Sequence, residues 1–483
     1  MRRALSLLAL GTLVALAATA CRSSTDPGAL PATTAATTRP VPTVGPAPTT
    51  TTAPPLPLAG PRPAAGRCPA VPAQAAPDPG RPVYTMSLRL DLEANAVEGR
   101  LTVRFRPDLD TDRLVFRLWA NGPRPAAAGG RLEAGPVFLG APVPVPSEQP
   151  DPTTLVVPLE TPLAAGRPIE ATVAWRLTLP GASNDRLAGQ GGAVRLGSFF
   201  PVLAWEPGVG WATDPPTGAF AEAATTPVAD FSYSVAVPEG LDVLATGERD
   251  GDRWRAVAVR DVAVSVGRFR QAAATTATSP PVAVTVGVHE GLDDDPATYL
   301  ERVVAALEDF SRRFGPLPYP TYTMAVTPGL SGGIEYPGHV MQGPGTTGRT
   351  LSHEVAHMWF YALVGNNQGR HPWLDEGLAT WAEGGFEGTR EALAARSIPS
   401  AGRGHLGEGM TFWETRQSAY YRGVYVQGAQ ALAALGDADL VDCALRYYVA
   451  ATSFAIARPD DLLASLRLVF PGADATLARF GAP

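Results

Sequence analysis

In Leu351-Ser352-His353-Glu354-Val355-Ala356-His357 two histidines stand four positions apart, with a glutamate directly after the first. A helix rises 1.5 Å per residue, so the two imidazoles share one face about 6 Å apart along the axis and can grip one divalent ion. Glu354 then lies beside the ion, where a carboxylate can take a proton from water. With 6 His in 483 residues, chance placement of His-Glu-x-x-His is expected in well under about 1% of such sequences.

A hydrolytic zinc site needs a third protein ligand and one open position. Glu376, within Trp373-Leu374-Asp375-Glu376-Gly377-Leu378-Ala379, follows His357 by 19 positions. Pro372 opens a new helix there, and the loop before it lets that helix return against the first. Asp375 suits the ligand role equally by residue type, and Glu376 also reads as an ordinary first-turn carboxylate at a helix N-terminus. A purely structural zinc site is disfavoured, since such sites prefer Cys and close with four protein ligands. The chain has 3 Cys, too few for a disulfide-built scaffold or a zinc ribbon.

Around the motif, residues 289–483 read as an α+β domain whose C-terminal half is helical. Leu300, Val303, Val304, Leu307 and Phe310 mark a helix over Pro296–Phe314, a strand follows at Thr321–Thr327, and a Gly-rich edge precedes helices at Thr350–Val364, Leu374–Glu383 and Tyr425–Leu435. Residues 84–288 instead alternate at period two, as in Tyr84-Thr-Met-Ser-Leu-Arg-Leu-Asp-Leu and again at Leu101, Leu114, Thr154–Leu159, Ile169–Leu179, Phe231–Val237, Trp254–Val259 and Val282–Val288. This predicts an all-β body uninterrupted by any long amphipathic helix. The aromatic run at Phe199-Phe200-Pro201 reads as packing at a domain junction or as a binding face.

The remaining residues carry an address. Residues 1–20 form a secretory signal, with Arg2 and Arg3 ahead of an apolar stretch too short to span a bilayer comfortably. Leu16-Ala17-Ala18-Thr19-Ala20-Cys21 resembles a bacterial lipoprotein signal, which would make Cys21 the lipid-bearing residue and anchor the exported chain outside the cytoplasmic membrane; Ala18-Thr19-Ala20 also fits an ordinary cleavage site. Residues 21–83 are rich in Pro, Thr and Ala, with little to bury, and read as a disordered stalk. Much of the chain's excess of Pro, 49 residues beside 50 Gly, falls there. Cys68 and Cys443 form either a bridge or two free thiols. A net charge of −7, with every basic residue an Arg, argues against nucleic-acid binding. The oligomeric state is not legible.

Taken together, His353-Glu-Val-Ala-His-Met-Trp-Phe and Trp373-Leu-Asp-Glu-Gly, at this spacing, resemble the aminopeptidase N family of zinc metallopeptidases, within the thermolysin-like group. The resemblance extends to Phe199-Phe200-Pro201 and Val237-Pro238-Glu239-Gly240. It implies a β-rich sandwich or saddle domain followed by a thermolysin-like peptidase domain. One zinc ion would sit on His353, His357 and Glu376, with Glu354 as general base. Gly332-Gly333-Ile334-Glu335-Tyr336 stands where the family has Gly-x-Met-Glu-Asn, so Glu335 would hold the free amine of a peptide substrate, and Tyr336 replaces the family's Asn. Tyr425-Val426-Gln427-Gly428-Ala429 fits the turn whose Tyr stabilises the oxyanion, with Tyr420 and Tyr421 as competitors. The family commonly adds a long helical C-terminal domain; a chain ending at Pro483 is expected to have a more open cleft. Among the other histidines, His339 is placed to line the cleft, whereas His289, His371 and His405 read as surface or packing residues. The expected activity is removal of N-terminal residues from peptides. The alternatives are a peptidase of the same fold indifferent to a free N-terminus, and a silent envelope-binding lipoprotein.

Overall fold

A computed structural model describes residues 67–219 and 225–482. The signal segment, Cys21 and the stalk up to residue 66 lie outside the described residues. Strand Val83–Asp91 buries Tyr84, Met86, Leu88 and Leu90 and turns the intervening residues outward, as its period-two pattern predicts. It pairs antiparallel with Ala96–Phe105 and parallel with Ala229–Ala236, at the centre of an eight-stranded sheet. Two four-stranded sheets and a two-stranded ribbon, Trp205–Glu206 with Gly210–Trp211, complete the β-rich part. Phe199 and Phe200 are buried, packed against Trp175, Tyr84 and Phe231 of the eight-stranded sheet. The run is therefore core packing rather than an open binding face.

A separate five-stranded sheet runs in the order Phe269–Thr275, Ala283–His289, Thr321–Val326, His339–Gln342, Gly333–Tyr336. The strand expected at Val282–Val288 thus pairs in parallel with Thr321–Val326, so it does not belong to the β-rich sheets before it. Alternation looks the same in either partner sheet, which is why sequence placed the division at 288. Helix Pro296–Phe314 has the expected bounds: the Asp295 side chain caps Ala297 N–H, Pro296 takes the first position, and Gly315 ends the helix at φ 103°. Beyond it the fold is largely helical, which makes the whole an α+β multidomain chain.

The helix expected over Thr350–Val364 runs only over Arg349–Ala356. From His357 onward the chain makes wider turns, with Ala362 N–H donating to His357 O at 2.9 Å, and Tyr361 takes φ 144°. The carbonyls of Tyr361 and Leu363 are drawn instead to the buried Arg260 guanidinium, at 2.9 and 3.3 Å. Helix Trp373–Phe386 encloses the predicted Leu374–Glu383. The predicted Tyr425–Leu435 helix is a π-helical turn, Arg422–Val426, leading into Gln427–Ala433.

The end of the predicted stalk is not loose. Cys68 and Cys443 form a disulfide with Cα atoms 5.7 Å apart, and Ala75 N–H donates to Ala450 O at 2.9 Å. Residues 67–82 are thereby fastened along helix Ala438–Thr452. Arg81 then pairs with Asp230 at 2.8 Å where the first strand begins. A Pro-rich segment has little of its own to bury, but a covalent link and a partner surface make up for that.

Candidate metal centre and active site

Helix Arg349–Ala356 presents His353 near its end, and His357 occupies the capping position with helical φ and ψ, so the i, i+4 relation survives the helix stop. Helix Trp373–Phe386 brings Glu376 onto both imidazoles: Glu376 Oε2 lies 3.1 Å from His353 Nε2 and 3.5 Å from His357 Nε2. The ligand atoms of all three residues lie within 4.8 Å of one another, and all three side chains are buried. Nitrogen and carboxylate donors converging in this way suit a tetrahedral zinc ion that keeps one position open.

The opposite ring nitrogens are fixed from behind. His353 Nδ1 meets Glu383 Oε2 at 3.2 Å, and Arg349 Nε holds the other oxygen of Glu383 at 2.7 Å. His357 Nδ1 meets Asp375 Oδ1 at 2.6 Å, and Gln368 Nε2 donates to Asp375 Oδ2 at 2.5 Å. Such contacts set the tautomer and aim Nε2 into the cluster, where a metal ion would be held. They also resolve the choice between neighbouring carboxylates, since Glu376 joins the cluster while Asp375 stands behind His357. Glu383 and Gln368 were missed in the sequence; the one signal was the spacing of Glu383, two turns beyond Glu376 on the same helix face.

The surroundings favour a cation. Burial pushes the Glu376 carboxyl up, but hydrogen bonds from His353 and His357 outweigh it and hold the group down at about 2. Burial likewise lowers His353, yet Glu376 and Glu383 raise it to about 9. For His357, burial is overcome by the charges of Glu335 and Asp375, and the group is raised. Two imidazoles that attract positive charge despite burial lie in a strongly anionic pocket.

Glu335, Glu354 and His357 form a second buried group whose ligand atoms also lie within 4.8 Å of one another. Glu335 sits on Gly333–Tyr336, the edge strand of the five-stranded sheet. Close approach requires Gly333: a Cβ there would stand 2.3 Å from Glu354 Cγ. Tyr336 is buried, with its hydroxyl 3.1 Å from Ser198 Oγ.

Among the three candidate tyrosines, Tyr425 reaches the cluster. Its hydroxyl donates to Glu376 Oε1 at 2.5 Å, and its ring stacks on His353 with centroids 5.5 Å apart. Tyr421 is bonded to Arg349, while Tyr420 packs edge-on against Tyr425. The π-helical turn that carries Tyr425 leads to Gly428, which lies against Gly377; a Cβ on Gly428 would be 2.6 Å from Gly377 Cα. This backbone contact fixes Tyr425 against Glu376. His339 does not line the cleft: it is fully buried, with Ser265 Oγ at 2.9 Å and Thr323 Oγ1 at 2.6 Å. His289 is buried against Phe269, His371 is half-buried, and His405 is half-buried against Phe412.

No model of a known protein family matches the chain, and no curated protein matches it. Solved structures do. An M1 zinc metallopeptidase from Deinococcus radiodurans is similar at 20% identity and a TM-score of 0.62, over 83% of this chain and 94% of that one. A mutant of that enzyme bound to a Tyr-Ser-Ala substrate is similar at 20% identity and 0.61, over 83% and 95%. A two-domain M1 zinc metallopeptidase mutant bound to L-tryptophan is similar at 18% identity and 0.59, over 83% and 95%. The chain thus has the fold of the two-domain M1 zinc metallopeptidases.

Proposed function

We propose that this protein is a zinc-dependent peptidase that removes N-terminal residues from peptides. The observation that carries this reading is the convergence of His353, His357 and Glu376 within 4.8 Å, with Glu335 and Glu354 grouped on His357 at the same spacing. The peptide and the amino acid held by structures of similar fold support it. His353, His357 and Glu376 would hold one zinc ion. When bound, zinc supplies a Lewis acid that acidifies water and polarises a carbonyl.

The chain's own residues do the rest. Glu354 accepts the proton of the attacking water and returns one to the leaving amine. Tyr425 keeps its own proton, because burial and the charge of Glu376 raise its pKa well above the usual value, and so it can donate to the developing oxyanion. Glu335 accepts hydrogen bonds from the substrate's ammonium group, which selects a free N-terminus. The edge strand Gly333–Tyr336 offers backbone groups to an extended peptide. We further propose export and anchoring through Cys21; the Cys68–Cys443 disulfide fits an oxidising compartment. Among the described residues no helix is long and apolar enough to cross a membrane.

The deciding experiment pairs Glu354→Gln with a peptide panel bearing free and acetylated N-termini. The variant should retain zinc and lose turnover, and the parent should cleave the free series alone. Cleavage of both series would remove the role of Glu335, and turnover by the variant would remove that of Glu354.

A further inference from the structure

We infer that Arg260, in the β-rich part, is a positioning residue for the proposed metal ligand His357, an inference that rests on the zinc peptidase reading. Arg260 follows strand Arg253–Val259 of the eight-stranded sheet and is 2% exposed. Its guanidinium donates to four backbone carbonyls: Nε to Tyr361 O at 2.9 Å, one terminal nitrogen to Thr226 O at 3.4 Å, and the other to Leu363 O at 3.3 Å and to Ala455 O. Gly365 makes room for it, since a Cβ there would stand 2.2 Å from Arg260 Cζ. A planar cation with donors in fixed directions thus holds the segment that follows His357.

The setting of His357 depends on the shape of that segment. The N–H groups of Ala362, Leu363 and Val364 reach back five positions rather than four, to His357 O at 2.9 Å, Met358 O at 3.2 Å and Trp359 O at 3.1 Å. In an α-helix Val364 N–H would occupy Phe360 O. Here that carbonyl is left for the imidazole, and His357 Nδ1 meets it at 3.1 Å, beside Asp375 Oδ1 at 2.6 Å. A carbonyl only accepts, so the contact puts the ring proton on Nδ1 and leaves Nε2, on the Glu376 side, to serve a metal. Arg260 fastens the widened turn by the carbonyls of Tyr361 and Leu363, and the carbonyl between them, of Ala362, accepts from the Tyr319 hydroxyl at 2.9 Å.

Zinc titration of the full, oxidised chain in competition with a chromophoric chelator tests this on the parent, Arg260→Lys, Gly365→Ala and Val97→Ala. Arg260→Lys keeps the charge but lacks the fork that spans two carbonyls, and Gly365→Ala displaces the guanidinium without removing it. Val97 is fully buried in the eight-stranded sheet, so Val97→Ala loses packing there alone. Arg260→Lys and Gly365→Ala should each bind zinc about tenfold or more weakly than the parent, and Val97→Ala should match it. A thermal melt shows which variants are folded, and one folded variant of the first two suffices. Parental affinity in that variant, an equal loss in Val97→Ala, or failure of both Arg260→Lys and Gly365→Ala to fold overturns the inference. A parent that binds no zinc overturns it together with the peptidase reading. A parent that binds zinc and cleaves no peptide counts against the peptidase reading alone, and the zinc comparison still decides the role of Arg260.

Discussion

Tyr425 donates to Glu376 Oε1 at 2.5 Å while the other oxygen of that carboxylate faces both His353 and His357. One side chain would thus serve as metal ligand and as anchor for the proposed oxyanion donor. Replacing Tyr425 by Phe removes the hydroxyl and leaves the stacking ring. In the proposed mechanism kcat should fall about 10²–10³-fold, the usual cost of an oxyanion donor, with zinc content unchanged. Steady-state kinetics beside metal analysis checks this, and unaltered kcat would rule out the assignment.

The buried carboxylates behind the imidazoles should act on metal affinity. Glu383→Gln and Asp375→Asn each keep the side-chain shape but weaken the grip on a ring nitrogen. Each is expected to lower zinc affinity about 10- to 100-fold, the usual effect of outer contacts on a metal ligand. Competition with a chromophoric chelator measures it. Affinities equal to that of the parent would mean that these contacts do not orient the histidines.

Local chemistry was legible in the sequence, and distant partnership was not. The His353–His357 pair, the spacing to Glu376 and the capped helix Pro296–Phe314 each depend on residues close in the chain, and each is found where its pattern placed it. The helix stop after Ala356 depends on Arg260, about a hundred positions upstream, taking carbonyls of the following turn. Nothing near Ala356 signals that. Likewise Ala283–His289 shows the alternation of any half-buried strand, and only pairing with Thr321–Val326 assigns its sheet. Residues 67–82 looked disordered because their order comes from Cys443 and helix Ala438–Thr452.

The crossing of Gly377 and Gly428 leaves no room for a methyl group, with Cβ on Gly428 falling 2.6 Å from a backbone carbon. Gly428→Ala must push the two helices apart, at a cost of about 1–3 kcal/mol. Zinc affinity should fall with it, because Glu376 adjoins Gly377. Gly181→Ala is the control: nothing lies within 4 Å of its Cβ, and a change within about 0.5 kcal/mol is expected. Denaturant titration of both variants tests the contrast. Equal stability of the two would show that the helix contact tolerates expansion.

His339 gives the fold a pH dependence separate from the metal centre. Burial holds its imidazole down to about 3, against an ordinary value of 6.5. Between those values the unfolded chain binds a proton that the folded chain refuses, so stability rises with pH across this window. The contribution is fully present above about 6.5 and is lost as pH falls toward 3. His371 behaves in the same direction: burial, then Arg370 and Arg458, lower it to about 4, so its share persists when His339 alone is changed. His339→Gln keeps an amide for Ser265 and Thr323 and removes one titrating group. Its stability should therefore fall less steeply on acidification, by at most one proton or about 1.4 kcal/mol per pH unit. Urea unfolding from pH 4 to 7, with chelator present throughout so that metal release does not enter, measures the slope. Superimposable slopes for parent and variant would show that His339 accepts its proton in the folded state.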